Sequence, residues 1–187
     1  CAHLEEEAGR DERPLDLGMQ LPAGAWPEPA RLQQLLQKLN NAKRPVLIGG
    51  HGVWWAKAEA KLEEAGRLLG IPVFNIPYHQ KLLGEECEAY MGLADIHQYH
   101  PSADAFRDAD LVLMVGGRLD NQMNFGNPPL FPSSADLVCV NGSHEAIEIN
   151  RAADFTFYCY PAAFLENLVA HRQNHHLRTP PLWLTST

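Results

Sequence analysis

The chain has 187 residues, 45% of them hydrophobic and 20% charged, the size and composition of one soluble globular domain with a sizeable core. Its net charge of −8, with no run of Lys or Arg, excludes a nucleic-acid partner, because a phosphate backbone is met by clustered basic surface. The clear apolar runs are short, as at Leu111 to Val115, so no membrane-spanning segment is expected.

Residues 1–27 carry charge (Glu5, Glu6, Glu7, Arg10, Asp11, Glu12, Arg13), then Pro22, Gly24 and Pro27, and read as an extended arm or linker. Leu32, Leu35, Leu36 and Leu39 recur at helical spacing, with Pro29 suited to a first turn. Val46-Leu47-Ile48, bounded by Pro45 and Gly49-Gly50, is a buried strand. A helix is expected over residues 56–69, closed by Gly70 as a C-cap. Residues 72–76 form the next strand, and 77–91 read as irregular, with a brief strand at Tyr90-Met91. A helix over 102–108 leads into Leu111 to Val115, the clearest strand. Residues 137–140 and 155–159 are two more, and Pro161 opens a helix through 170 with Phe164, Leu165 and Leu168 on one face. The domain proper is thus 28–172, and 173–187 read as a flexible tail.

Continuously apolar strands alternating with helices imply a parallel sheet buried on both faces, with right-handed crossovers. The expected fold is therefore a three-layer, Rossmann-like, doubly wound α/β sheet of about five or six strands. In such sheets ligands sit beyond the carboxyl ends of the strands.

Three turns follow strand ends. The first is Gly49-Gly50-His51-Gly52, either a phosphate-holding turn at a helix N-terminus or only a tight strand-to-helix turn. Trp55 stands where a third fingerprint glycine would be. Asn75 and Ile76, not an acid, end the second strand, so a conventional NAD site is disfavoured. Trp54 and Trp55 read as packing residues. The second turn, with Arg118 and Asp120 after Gly116-Gly117, offers a hold for a diphosphate or an adenine–ribose edge, or an Arg118–Asp120 ion pair that organises the loop. The third, Asn141-Gly142-Ser143, is a hydrogen-bonding wall or simply an Asn-Gly turn.

No catalytic set and no metal site emerge. Of nine histidines, His97 and His100 lack ligand companions, and His171, His175 and His176 fall toward the tail. Glu85, Glu86 and Glu88 read as a solvated run, and Ser133-Ser134 lacks a nucleophile elbow. The four cysteines (Cys1, Cys87, Cys139, Cys159) form no CxxC pair, which favours reduced thiols and a cytoplasmic location. The chain starts at Cys1 and not at Met, from which a piece of a longer protein is expected.

The stretch Ala42-Lys43-Arg44-Pro45-Val46-Leu47-Ile48-Gly49-Gly50-His51-Gly52-Val53 resembles the opening of the central domain of thiamine-diphosphate-dependent enzymes of the acetolactate synthase type. The resemblance continues through Leu69-Gly70-Ile71-Pro72-Val73 and Gly92-Leu93. It is fullest at Asp108-Ala109-Asp110-Leu111-Val112-Leu113-Met114-Val115-Gly116-Gly117-Arg118-Leu119-Asp120, and it covers about 28–170.

That resemblance implies a three-domain enzyme in which pyrimidine- and diphosphate-binding domains flank this one. Such enzymes break or form a carbon–carbon bond beside a carbonyl of a 2-oxo acid, using thiamine diphosphate and Mg2+ held by the flanking domains. The full-length protein is implied to be a homo-oligomer, and this chain alone inactive. Some members hold FAD or ADP on the central domain, and by position the matching residues are Gly49, Gly50, His51, Gly52, Arg118, Asp120 and Asn141. Asn141 replaces a common Asp, and residues 121–126 are more similar to lyase-like and acyl-CoA-type members than to FAD-dependent synthases. Two rival readings share the fold: a stand-alone nucleotide-binding or regulatory module, and a flavoprotein electron-transfer subunit, which bound flavin would reveal.

Overall fold

The computed structural model describes residues 26–76, 82–84, 86–94, 101–147 and 149–174. Nearly all of the expected arm and tail, together with Cys1, Glu85, His97, His100, His175 and His176, lie outside the described residues. In chain order the elements are α1 (Pro29–Asn41), β1 (Pro45–Gly49), α2 (His51–Trp55), α3 (Glu59–Leu69), β2 (Val73–Asn75), β3 (Tyr90–Leu93), α4 (Pro101–Asp108), β4 (Leu111–Val115), β5 (Asp136–Asn141), α5 (His144–Ile147), β6 (Phe155–Tyr158) and α6 (Pro161–Asn174). The strands form one six-stranded sheet in the order β3-β2-β1-β4-β5-β6, parallel throughout. The chain winds outward in both directions from the β1–β4 pair, which is the switch point of the topology. The expected three-layer fold and strand count are therefore found.

Every residue of β1 and β4 is buried, and alternate side chains divide between two cores. Leu47, Leu111, Leu113 and Val115 pack with Leu32, Leu35, Leu62, Phe164 and Leu168 from α1, α3 and α6. Val46, Ile48, Val112 and Met114 face the other way, onto Phe74, Phe106, Met123 and Phe131. Each fully buried Leu or Phe of this kind stabilises the fold by about 1.5–3 kcal/mol through lost apolar surface. Phe106 of α4 joins the halves of the second core, lying 4.7 Å from Phe74 and 5.5 Å from Phe131 between ring centroids.

The helix expected over 56–69 is α3, which begins at Glu59. The short α2 directly after the glycines is not among the expected elements, and the chain turns between the two where Lys57 takes a left-handed conformation (φ 50°) and Ala58 leaves helical geometry. Gly70 caps α3 in the left-handed region (φ 63°, ψ 38°), as expected. α6 runs to Asn174, beyond the expected 170, because Arg172 turns inward. Its Nη1 donates to Asn40 Oδ1 at 3.2 Å, and its Nε to the Leu68 carbonyl at 3.4 Å. Desolvation lowers the Arg172 pKa. The 3-10 segment Asn121–Gly126 and α5 have no counterpart in the expected elements. Trp54 packs against the core, whereas Trp55 is 74% exposed and packs only edge-on against Trp54, with ring centroids 4.6 Å apart. Among the described residues no helix is long and apolar enough to cross a membrane.

Candidate functional site

The ends of β1 and β4 meet through backbone alone. A Cβ at Gly50 would lie 2.4 Å from Gly117 Cα and 2.5 Å from the Gly116 carbonyl oxygen, and one at Gly52 would lie 2.8 Å from Gly116 Cα. Such contacts are shorter than any real Cβ makes, and the opposing atoms are main chain with no rotamer to yield. Gly116 itself sits at φ 69°, a region that glycine enters without steric penalty. The glycines therefore let two turns lie directly on one another.

Several amide groups of these turns are used within the fold. Gly50 N–H donates to the Val115 carbonyl and Gly52 N–H to the Gly116 carbonyl, both at 2.8 Å, while Gly116 N–H donates to Val140 O at 2.8 Å. Val53 N–H returns to Gly50 O at 3.0 Å. Gly49 faces inward, where a Cβ would meet Leu62 at 2.5 Å. The tight-turn reading thus accounts for Gly49, Gly50 and Gly52, and His51 stands exposed at the start of α2.

Asn141 ends β5 and ties the third turn to the second. Its Nδ2 donates to the Gly117 carbonyl at 3.1 Å, and its Oδ1 accepts from Ser143 N–H at 3.1 Å. Asp120 caps the 3-10 segment by accepting from Gln122 N–H at 3.0 Å, and its backbone carbonyl accepts from Met123 and Phe125 N–H at 3.1 and 2.8 Å. Among the described residues Asp120 makes no ion pair with Arg118, so the loop is organised by a cap and not by charge pairing. Arg118 is exposed. The structure therefore brings Gly50, Gly52, Gly116, Gly117 and Asn141 into one contact, sets Asp120 further along the same loop, and leaves Arg118 and His51 at the surface.

Sequence reasoning overlooked Asn150 and Arg151. Arg151 Nη1 donates to the carbonyls of Gly126 (3.1 Å) and Pro132 (2.9 Å), and Nη2 to those of Ser133 (3.4 Å) and Ala135 (2.7 Å). Asn150 Nδ2 donates to Leu119 O at 2.5 Å. One guanidinium thus gathers four carbonyls of the loop between β4 and β5. No short-range pattern announces it, because its partners lie 16 to 25 residues away.

Redox and metal chemistry find little purchase in these surroundings. Burial pushes the Cys139 and Cys159 thiols up to about 12, against an opposing pull on Cys139 from the Arg151 charge. Burial raises Cys87 as well. Thiols so protonated are poor nucleophiles. Among the described residues no three His, Cys, Asp or Glu side chains gather as metal ligands. The described residues do not gather the acidic ligand set that a thiamine diphosphate–magnesium site needs. For a nucleotide they offer the exposed Arg118 and His51, with the amides of Gly50, Gly52 and Gly116 already paired within the fold.

Residues 32–168 match the family described as the central domain of thiamine pyrophosphate enzymes. The chain is similar to 2-hydroxyacyl-CoA lyase 1 of Dictyostelium discoideum, with 30% identity over 115 residues, 62% of this chain and 19% of the relative. It is also similar to acetolactate synthase of Mycobacterium bovis, with 25% identity over 162 residues, 85% of this chain and 26% of the relative. It spans about a fifth to a quarter of these relatives' length. Its fold superposes on the thiamine diphosphate-dependent 4-hydroxybenzoylformate decarboxylase of Rhodococcus jostii RHA1 (TM-score 0.70, 18% identity, covering 91% of this chain and 32% of the other). It superposes likewise on benzoylformate decarboxylase from Polynucleobacter necessarius (TM-score 0.67, 16% identity, 84% and 29%). The glycine turns, the switch-point topology and the sequence match agree: the chain belongs to the central-domain family of thiamine pyrophosphate enzymes.

Proposed function

We propose that this chain is the central domain of a longer thiamine-diphosphate-dependent carboligase or lyase acting on 2-oxo acids, and that it is inactive alone. The carrying observation is the family match over residues 32–168, together with relatives several times longer than this chain. Flanking pyrimidine- and diphosphate-binding domains hold thiamine diphosphate and Mg2+. When bound, that cofactor supplies the carbanion chemistry beside the carbonyl. This chain's part is to be a rigid sheet whose strand-end loops keep a fixed shape next to those domains. The free cysteines Cys87, Cys139 and Cys159 support a reducing, cytoplasmic setting, and the full-length protein is proposed to be a homo-oligomer.

The test is cofactor-dependent turnover of pyruvate and other 2-oxo acids by the complete translation product and by the 187-residue chain. Turnover confined to the complete product is expected, and turnover by the chain alone overturns the reading. A second reading places FAD or ADP on the carboxyl edge of the sheet. The exposed Arg118 beside the switch point favours it, since a guanidinium there matches a diphosphate. Saturable stabilisation of the chain by ADP or FAD tests it. Bound flavin without any thiamine-dependent turnover would favour a flavoprotein electron-transfer subunit, and a complete natural reading frame of about this length a stand-alone nucleotide-binding module.

A further inference from the structure

Among the described residues, four that are not glycine have positive φ, and three of them lie side by side: Asn124 (45°), Phe125 (55°) and Asn150 (69°). The adjacency is direct, because Arg151 N–H donates to the Phe125 carbonyl at 3.2 Å. A left-handed conformation is tolerable for Asn but strained for a bulky aromatic residue, and such strain persists only where the surroundings over-determine it.

Here they do. Asn124 Nδ2 donates to the carbonyls of Asn127 (3.0 Å) and Pro128 (2.8 Å), and Asn127 Nδ2 donates to that of Phe125 (3.3 Å). Arg151 holds the following carbonyls from behind. Leu119 and Met123 root the loop in the core at 2% and 0% exposure. Phe125, by contrast, is 46% exposed, and Ile149 on the adjoining segment is 42% exposed. A loop that served only to turn would place Gly or Asn at the strained tip. This one holds an aromatic ring outward at a fixed position.

We propose that loop 120–127 with segment 149–151 is a preformed docking face for a flanking domain of the longer polypeptide, with Phe125 as its anchor. The inference rests on the reading of the chain as a central domain. Relatives are roughly three times its length, since the 115 and 162 residues that align make up 19% and 26% of two of them. Most of such a polypeptide therefore lies outside this domain and must pack somewhere on it. A fixed, exposed aromatic residue hydrogen-bonded through its backbone to the segment that carries the exposed Ile149 matches the anchor of a stable interface, and its pre-organisation removes the ordering cost of binding.

Hydroxyl-radical footprinting of the 187-residue chain and of the complete translation product tests this. Phe125 and Ile149 should label readily in the chain and several-fold less in the complete product. Phe125→Asp should restore labelling of Ile149 in the complete product while leaving the melting curve of the 187-residue chain cooperative, which shows that the variant folds. Equal labelling in both proteins overturns the inference. So does protection in the chain that grows with its concentration, which would make a second copy the occupant. Protection in the complete product without thiamine-diphosphate-dependent turnover supports the docking face and overturns instead the enzymatic reading beneath it.

Discussion

Two loops leave the carboxyl edge of the same sheet and are held in opposite ways. The turns at Gly49–Gly52 and Gly116–Gly117 are fixed by missing atoms: main chain lies on main chain, and a single Cβ has nowhere to go. The loop from Leu119 to Ala135 is fixed by added atoms, with Arg151, Asn150, Asn124 and Asn127 supplying the hydrogen bonds its irregular backbone cannot make for itself. The first arrangement has its Gly50, Gly52 and Gly116 amides used within the fold. The second can display a side chain such as Phe125 at a chosen position. Thus one sheet edge is closed at its centre and shaped for contact beside it.

The sharpest break in that comparison is Gly50→Val. The opposing atoms at 2.4–2.5 Å are all backbone of Gly116 and Gly117, so the β1–β4 pair must part at the centre of the fold. A loss of about 3 kcal/mol or more is expected, which lowers the melting temperature by roughly 2–4 °C per kcal/mol in a chain of this size. A melting curve like that of the parent would show that the two turns do not pack as described.

Next in size is Arg151→Ala. It leaves four carbonyls to find water, some of them partly buried, at a cost on the order of 2–3 kcal/mol. Arg151→Lys should recover little, because a point charge cannot reproduce the planar fork. If the loop is held as described, the damage is local. Cys139 lies in the core that also contains Leu119, Met123 and Phe131, whereas Cys159 lies in the opposite core with Val53. Arg151→Ala should therefore speed thiol labelling of Cys139 far more than that of Cys159, and equal acceleration would mean global unfolding instead.

The same thiols give a pH test on both sides of the sheet. Each is raised from about 9 to about 12 by burial, so the unfolded chain releases these protons first. Their contribution is fully present below about pH 9 and is lost as pH rises toward 12, each thiol withdrawing up to ~1.4 kcal/mol per pH unit. Urea midpoints measured at pH 8 and pH 10 should fall with pH in the parent, and fall less in Cys139→Ala and in Cys159→Ala.

How far the sequence revealed these regions follows from the range of their interactions. The apolar runs at 46–48 and 111–115 and the helical leucine spacing at 32–39 are local patterns. They gave the sheet, its parallel sense and the first helix. The glycines after β1 and β4 were visible as turns, and their contact with one another follows from topology once the two strands are neighbours. The break at Lys57 was hidden because Lys has no αL signature. Arg151 was hidden for a different reason: a guanidinium that serves carbonyls far along the chain looks, in sequence, like any solvated charge. Asp120 and Asn141 were noticed for their polarity, yet the structure engages Asp120 as a cap and Asn141 as a bridge between turns. What polarity alone could not tell is whether a side chain faces a ligand or its own backbone.

Arg118 is where that distinction can be measured with the smallest structural disturbance. It lies between the two kinds of loop, after the closed glycine turn and before the clamped segment, and it is exposed and unpaired with Asp120. Arg118→Ala should change stability by less than about 0.5 kcal/mol, as for other exposed positions. Any effect on nucleotide binding is then separable from folding. If ADP stabilises the parent chain in a saturable way and the variant needs several-fold more to reach the same shift, the guanidinium is what the edge offers an anion. If parent and variant respond alike, the nucleotide is held by groups other than this guanidinium; if neither responds, Arg118 offers the anion nothing, and Gly50, Gly52 and Gly116 have already given their amides to the fold. In that case the edge is a surface for protein contact, and the contrast between its closed centre and its shaped flank describes how one domain meets another.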